Sequence, residues 1–325
     1  MNQSKFSLAD VLTVLSALAF SFVCFMGANF LNIGNDTVWG MPHTAGCVVM
    51  SMVCSLLLFT TAFGAKRLKR TSNKFKTCFV SEVILLAFFV LFALFLASKS
   101  SPFPHFFTVT AQKSEINSKL QTSITQAEDM FAEYESYAEN RENLYKNKLK
   151  AVANAKSINP QEYAEYGFVN NGVSDDKQID TKMFTVHADL FPTNYSNTST
   201  NNGIKEVASG WLQNAKTITS GWKPIGIVGI VNDIEKNSND WLNTLATLSQ
   251  VRELGEQATD FVYTLSFEDV KTYFTKLESP SALSLGLAAM TYVLMLLSWF
   301  VTKRSTRFPG FKFLFGLGKS SDNEL

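Results

Sequence analysis

TAGCVVMSMVCSLLLFTTAFGAKRLKRTSNKFKTCFVSEVILLAFFVLFALFLA, from Thr44 to Ala97, decides the fold. Two apolar runs, 44–64 and 79–97, flank a dozen residues, AKRLKRTSNKFK, in which Lys66, Arg67, Lys69, Arg70, Lys74 and Lys76 are cationic and none is acidic. Crossing the roughly 30 Å of bilayer hydrocarbon takes about 20 helical residues, so each run reads as a span. A basic loop this short between two spans reads as a membrane-surface segment, and no nucleic-acid partner is expected.

Two further segments have the same character: VLTVLSALAFSFVCFMGANF (11–30) and ALSLGLAAMTYVLMLLSWFVT (282–302). The first has a longer apolar core than a signal peptide and no small-residue cleavage site at its end, so it reads as a retained anchor. The loop 31–43 carries no Lys or Arg, whereas the loop 65–78 carries six. Positive residues favour the cytoplasmic side, which places both termini (1–10 and 303–325) in the cytoplasm and 98–281 outside. Trp39 and Trp299 suit the interfacial aromatic belt.

The tail agrees with this orientation. Its Arg307, Phe311, Lys312 and Phe313 interleave cation and ring, a composition suited to an anionic lipid surface or to a cytoplasmic partner. Between residues 99 and 281 there are 17 basic and 23 acidic residues, a net of −6, so charge is segregated along the chain. The lipid bilayer is thus the first expected partner. Asp10 and Glu82 sit within about a turn of the cytoplasmic ends of their spans. They read either as interfacial carboxylates beside the basic loop or as a proton or cation site between the first and third spans.

The region 98–281 opens at SPFPHFF, whose prolines stop the third span. Apolar residues then recur at Val109, Ile116, Leu120, Ile124, Ala127, Phe131, Tyr134, Ala138, Tyr145, Leu149 and Val152, an amphipathic stripe close to a heptad seam. The returning chain repeats the spacing from Ile230 to Val262. A last short helix is expected from the capping-box-like SFED at Ser266, with Pro280 at the first position of the fourth span. At about 157–203, two Asn-Gly turn signals and Tyr163, Tyr166, Phe168, Phe184 and Phe191 suggest a small cap with its own core, including a short strand at KMFTV.

The expected fold is therefore an all-α integral membrane protein. Four transmembrane helices carry an elongated, coiled-coil-like helical hairpin or bundle inserted between the third and fourth. This order is similar to that of tetraspanins, whose large loop carries a Cys-Cys-Gly motif and disulfides. The region 98–281 has no cysteine, so the chain is assigned to no family.

Chemistry is sparse. The histidines are His43, His105 and His187, the cysteines Cys24, Cys47, Cys54 and Cys78, and the motifs of nucleotide, zinc-protease and serine-hydrolase sites are absent. No catalytic residue, metal or cofactor is expected. The repeated SGW suggests Trp211 and Trp222 as an interface pair, and PIGIVGIV offers Gly226 and Gly229 as helix-seating positions. With Phe131 and Tyr134 of the seam, these are the expected contacts to a partner or to a second copy. The functional expectation is a non-enzymatic membrane scaffold or assembly subunit. The alternatives are a sensor relaying an external signal to a cytoplasmic partner and a channel or transporter subunit. Cysteine-free, Asn/Lys/Ser-rich composition points to a bacterial inner membrane with 98–281 in the periplasm.

Overall fold

The computed structural model describes residues 7–71, 74–251 and 260–304, most of them in helices, with one short two-stranded hairpin. Four helices are long and apolar enough to cross a membrane: α1 (Leu8–Leu31), α2 (His43–Lys69), α3 (Phe75–Leu96) and, last in the chain, α11 (Ala282–Val301). The chain divides into two compact units, 1–114 with 271–325, and 115–270.

In the first unit, α1 starts at a capping box: Ser7 Oγ accepts from the Asp10 N–H while the Asp10 carboxylate accepts from the Ser7 N–H. A two-residue turn, Trp39-Gly40, joins strands β1 (Thr37–Val38) and β2 (Met41–Pro42). Both turn residues have positive φ, 54° and 74°, as a type I′ hairpin requires. Phe20, Cys24, Cys54, Leu58, Phe89, Ala288 and Met295 fill the centre of the bundle. Leu15, Leu18, Phe22, Leu56, Ile84, Leu91 and Leu94 face outward. An apolar exterior around an apolar core is the arrangement of a helix bundle solvated by lipid.

The prolines do more than end the third span. α3 stops at Leu96, a turn follows, and Pro102 occupies the first position of a new helix, α4 (Pro102–Ala111). α4 lies on α1, with Phe103 stacked on Phe20 at 4.8 Å and Phe106 on Phe30 at 5.8 Å. Val109 belongs to this helix and not to the long one. Residues 98–114 and 271–281 therefore belong to the compact unit of the apolar helices.

The second unit is built on α5 (Lys113–Asn154), about 63 Å of helix at 1.5 Å per residue. Every seam residue from Ile116 to Val152 is buried by the chain itself. α8 (Ile204–Ser220) runs antiparallel to it, with Lys216 paired to Glu128 at 2.6 Å and Lys205 paired to Glu135. α9 (Pro224–Leu248) supplies Trp241, whose ring lies 6.0 Å from Phe131 and 5.9 Å from Trp211. Around the C-terminal half of α5, α6 (Pro160–Glu165) and α7 (Asp175–Leu190) close a second core on Tyr145, Leu149, Tyr163, Tyr166, Phe168 and Ile179.

Several expectations are corrected. KMFTV lies inside α7, because its Met183 and Val186 fall on the same helical face as Ile179 and Leu190, which packs on α5. Phe184 points the other way and is 75% exposed, so it takes no part in that core. α9 ends at Leu248, and Phe261 and Val262 lie on non-helical chain; Leu254 and Ala258 fall outside the described residues. SFED is not helical: the short helix is α10 (Lys271–Thr275). Pro280 does not occupy the first position of α11, which is Ala282; it precedes the cap, Ser281, which accepts from the Ser284 N–H at 3.2 Å.

Candidate functional site

Charged and polar side chains of α1, α2, α3 and α11 meet at one end of the four-helix bundle. Asp10, 6% exposed, is held by its own capping box, by the Lys66 ammonium of α2 and by the Ser298 hydroxyl of α11. Thr13, one turn on, donates to the Leu294 carbonyl at 3.3 Å and accepts from the Ser298 N–H at 3.4 Å. Lys66 is itself only 7% exposed. As a membrane-surface residue it is therefore corrected: its charge is spent inside the bundle on Asp10.

Glu82 of α3 is fully buried and gathers a second set. Arg304, just beyond α11, places one guanidinium nitrogen 2.8 Å from each carboxylate oxygen, and the Trp299 indole N–H donates to Oε1 at 2.8 Å. The Oε1 contact is a charge-assisted hydrogen bond, whereas Oε2, at the same distance from the guanidinium, is in ion-pair contact without hydrogen-bond geometry. Lys69 then donates to the Trp299 carbonyl at 2.8 Å and sits 4.3 Å from the centre of its ring, while Arg304 lies 4.8 Å from the Phe79 ring centre. Asp10 and Glu82 thus take separate cations.

Chemically, both carboxylates are already matched. A free cation at either would have to displace a side-chain cation, and a proton would have to leave that cation unpaired in a desolvated place. Among the described residues no group of three or more His, Cys, Asp or Glu side chains is placed to hold a metal. Lys66, Arg67 and Lys69 also fall in the last turn of α2, where cations complement the helix dipole. Arg67, Arg70 and Lys74 are exposed and Lys76 is half-buried. Arg307, Phe311, Lys312 and Phe313 fall outside the described residues.

In the second unit the expected interface residues are mostly internal. Phe131 and Tyr134 are buried, and the Tyr134 hydroxyl donates to the Leu190 carbonyl at 2.8 Å. They form core and not contact surface, because α7 to α9 and Phe261 cover the seam. The two tryptophans do not share a helix face: Trp211 is on α8, whereas Trp222 follows its end with φ 43°.

Gly226 and Gly229 separate cleanly. A Cβ on Gly226 would lie 2.8 Å from the Ile218 side chain, so this glycine seats α9 on α8 of the same chain. A Cβ on Gly229 would meet nothing within 4 Å. Gly226→Ala is expected to cost about 1–3 kcal/mol by overpacking. Gly229→Ala is expected to gain up to about 1 kcal/mol from helix propensity. Thermal unfolding of the two variants checks the contrast, and a destabilised Gly229→Ala would count against it.

What the sequence reading missed is the partner set: Ser298, Trp299 and Arg304. The signal available was chemical, since an acid inside an apolar span calls for a cation, but its identity depends on which helices adjoin. Comparison with known proteins yields no matching family model, no matching curated protein and no matching solved structure.

Proposed function

We propose that this chain is a non-enzymatic membrane assembly subunit. The four apolar helices are its anchor, the ion-paired end and the basic segments face the cytoplasm, and the second unit is an elongated, coiled-coil-like extracytoplasmic module. That module associates with copies of itself or with another protein. The asymmetry of basic residues between loops supports this orientation. The low cysteine content and the Asn/Lys/Ser-rich middle support a bacterial inner membrane with the module in the periplasm.

One observation carries the assembly reading. The heptad-like seam is consumed within the chain, yet large apolar side chains stay exposed on the part of the unit built by α6 and α7. Ile158 is 85% exposed and Phe184 75%, and Val169 and Val173, which fall between them in sequence, are 52% and 44% exposed. Exposed aromatic and branched side chains mark a contact surface where they adjoin, and these four all lie between residues 158 and 184. The expected contact thus moves from the seam to this subdomain.

The test uses the full chain in nanodiscs and in native membranes. A maleimide that does not cross membranes should label Phe184→Cys from the outer face. Crosslinking should recover an oligomer or a second protein, and Ile158→Asp with Phe184→Asp should reduce that recovery at least tenfold. A monomer whose crosslinked products ignore both substitutions would overturn the assembly reading.

A further inference from the structure

Trp39 stands where its residue type is least at home. As the first residue of the type I′ turn it holds φ 54°, in the left-handed region that asparagine and glycine enter readily and a large side chain adopts at a cost. Gly40 suits the same demand at the second position. Packing within the chain does not explain a tryptophan here, because the residue is 61% exposed. A backbone outlier kept for a side chain that its own fold leaves uncovered calls for something outside the chain that takes the ring.

The hairpin around it does not project from the bundle. Val38 is buried against Ala28 of α1 and Cys47 of α2, with Phe25 and Met50 packed around them. A Cβ on Gly46 would lie 2.4 Å from the Val38 carbonyl oxygen, so glycine is what lets β1 come this close to α2. His43 fastens the rest: its backbone N–H donates to the Asp36 carbonyl at 3.0 Å and its Nδ1 to the Asn35 carbonyl at 2.9 Å. Ala28 precedes the end of α1 at Leu31, and Gly46 follows the start of α2 at His43. At 1.5 Å per residue, the strand next to Trp39 is folded back to about 5 Å inside the helix ends.

Charge agrees with that level. Residues 31–43 hold one acid, Asp36, and no Lys or Arg. An indole at the edge of an apolar span can set its ring toward hydrocarbon and its N–H toward ester and phosphate oxygens, the interfacial use of tryptophan. We propose that the hairpin 37–42 is a folded-back membrane-contact element, with the Trp39 indole seated among the glycerol esters and headgroups of the leaflet opposite the Asp10–Lys66 end. It rests on the reading of the four apolar helices as spans, and is independent of the assembly reading and of which side of the membrane that leaflet faces.

Fluorotryptophan in place of all five tryptophans gives fluorine signals from the full chain in nanodiscs of phosphatidylcholine and phosphatidylglycerol, and Trp39→Phe assigns one of them by deleting it. Leu18→Trp, on an outward-facing position in the middle of α1, adds a reference for span depth. Spin labels are placed on the lipid headgroup, at the end of the acyl chain, or on a water-soluble chelate. The Trp39 signal should broaden at least about threefold more with the headgroup label than with either of the others, as an interfacial ring does. The Leu18→Trp signal should respond most to the chain-end label. Strongest broadening of Trp39 by the chelate or by the chain-end label would overturn the proposal while the reference still reports a span. So would a Trp39 signal that no probe reaches because a second copy covers the ring. A reference signal blind to the chain-end label would overturn the span reading, and the proposal with it.

Discussion

Lys66→Met is expected to lower the unfolding free energy of the four-helix unit by about 3–5 kcal/mol, the cost of stranding one member of a buried ion pair. The substitution keeps a long apolar stem but leaves the Asp10 carboxylate with neutral donors only, from Ser7 and Ser298. The second half of the prediction separates charge from packing. Asp10→Asn combined with Lys66→Met should recover most of the loss, since replacing both partners of a buried pair is often neutral. Unfolding of the reconstituted chain, followed in a full double-mutant cycle, gives the coupling. Additive losses from the two single changes would mean that the pair contributes nothing as a pair.

Gly27→Ala should lose about 3 kcal/mol, although a single methyl group is all that is added. An ideal Cβ at Gly27 would stand 1.8 Å from the Pro102 carbonyl oxygen and 2.6 Å from its carbon. Both are backbone atoms, so no side-chain rotation relieves the clash, and α4 has to move off α1. Gly286→Ala on α11 is the matched control, because nothing lies within 4 Å of its Cβ. Comparable midpoints for the two variants in detergent unfolding would refute the close α1–α4 contact. The variant also tests the stacked Phe20–Phe103 pair, since the same displacement separates those rings.

Much of the architecture is legible in the sequence because it depends on local properties. Length and apolarity alone mark the four spans, and the period of Ile116 to Val152 marks α5. The cap aromatics Tyr163, Tyr166 and Phe168 are likewise buried as their density suggests. Errors gathered where a short segment has two possible states. KMFTV has strand propensity, yet five residues inside a sixteen-residue amphipathic pattern follow the pattern. Proline after a span is a stop signal and equally a helix start, and only packing on α1 selects the second reading for Pro102.

The charge cluster shows the same division. Asp10, Glu82 and the cations from Lys66 to Lys76 are visible as residues, and an orientation follows from counting them. Their pairing is not visible. Glu82 meets Arg304 across 222 positions, and Lys66 meets Asp10 across 56. Read as a line, Lys66 belongs to a basic loop; α2 in fact continues as helix to Lys69, which turns Lys66 inward to face α1.

The sequence by itself determined how many helices could span a bilayer and where charge is segregated, because both follow from composition within windows of about 20 residues. The tertiary structure alone decided which face of each helix is already occupied. That is why the α5 seam is closed, why two carboxylates in apolar spans are neutralised, and why the exposed apolar residues of the second unit include Ile158 and Phe184. Burial is a relation between segments far apart in the chain, so no local pattern contains it.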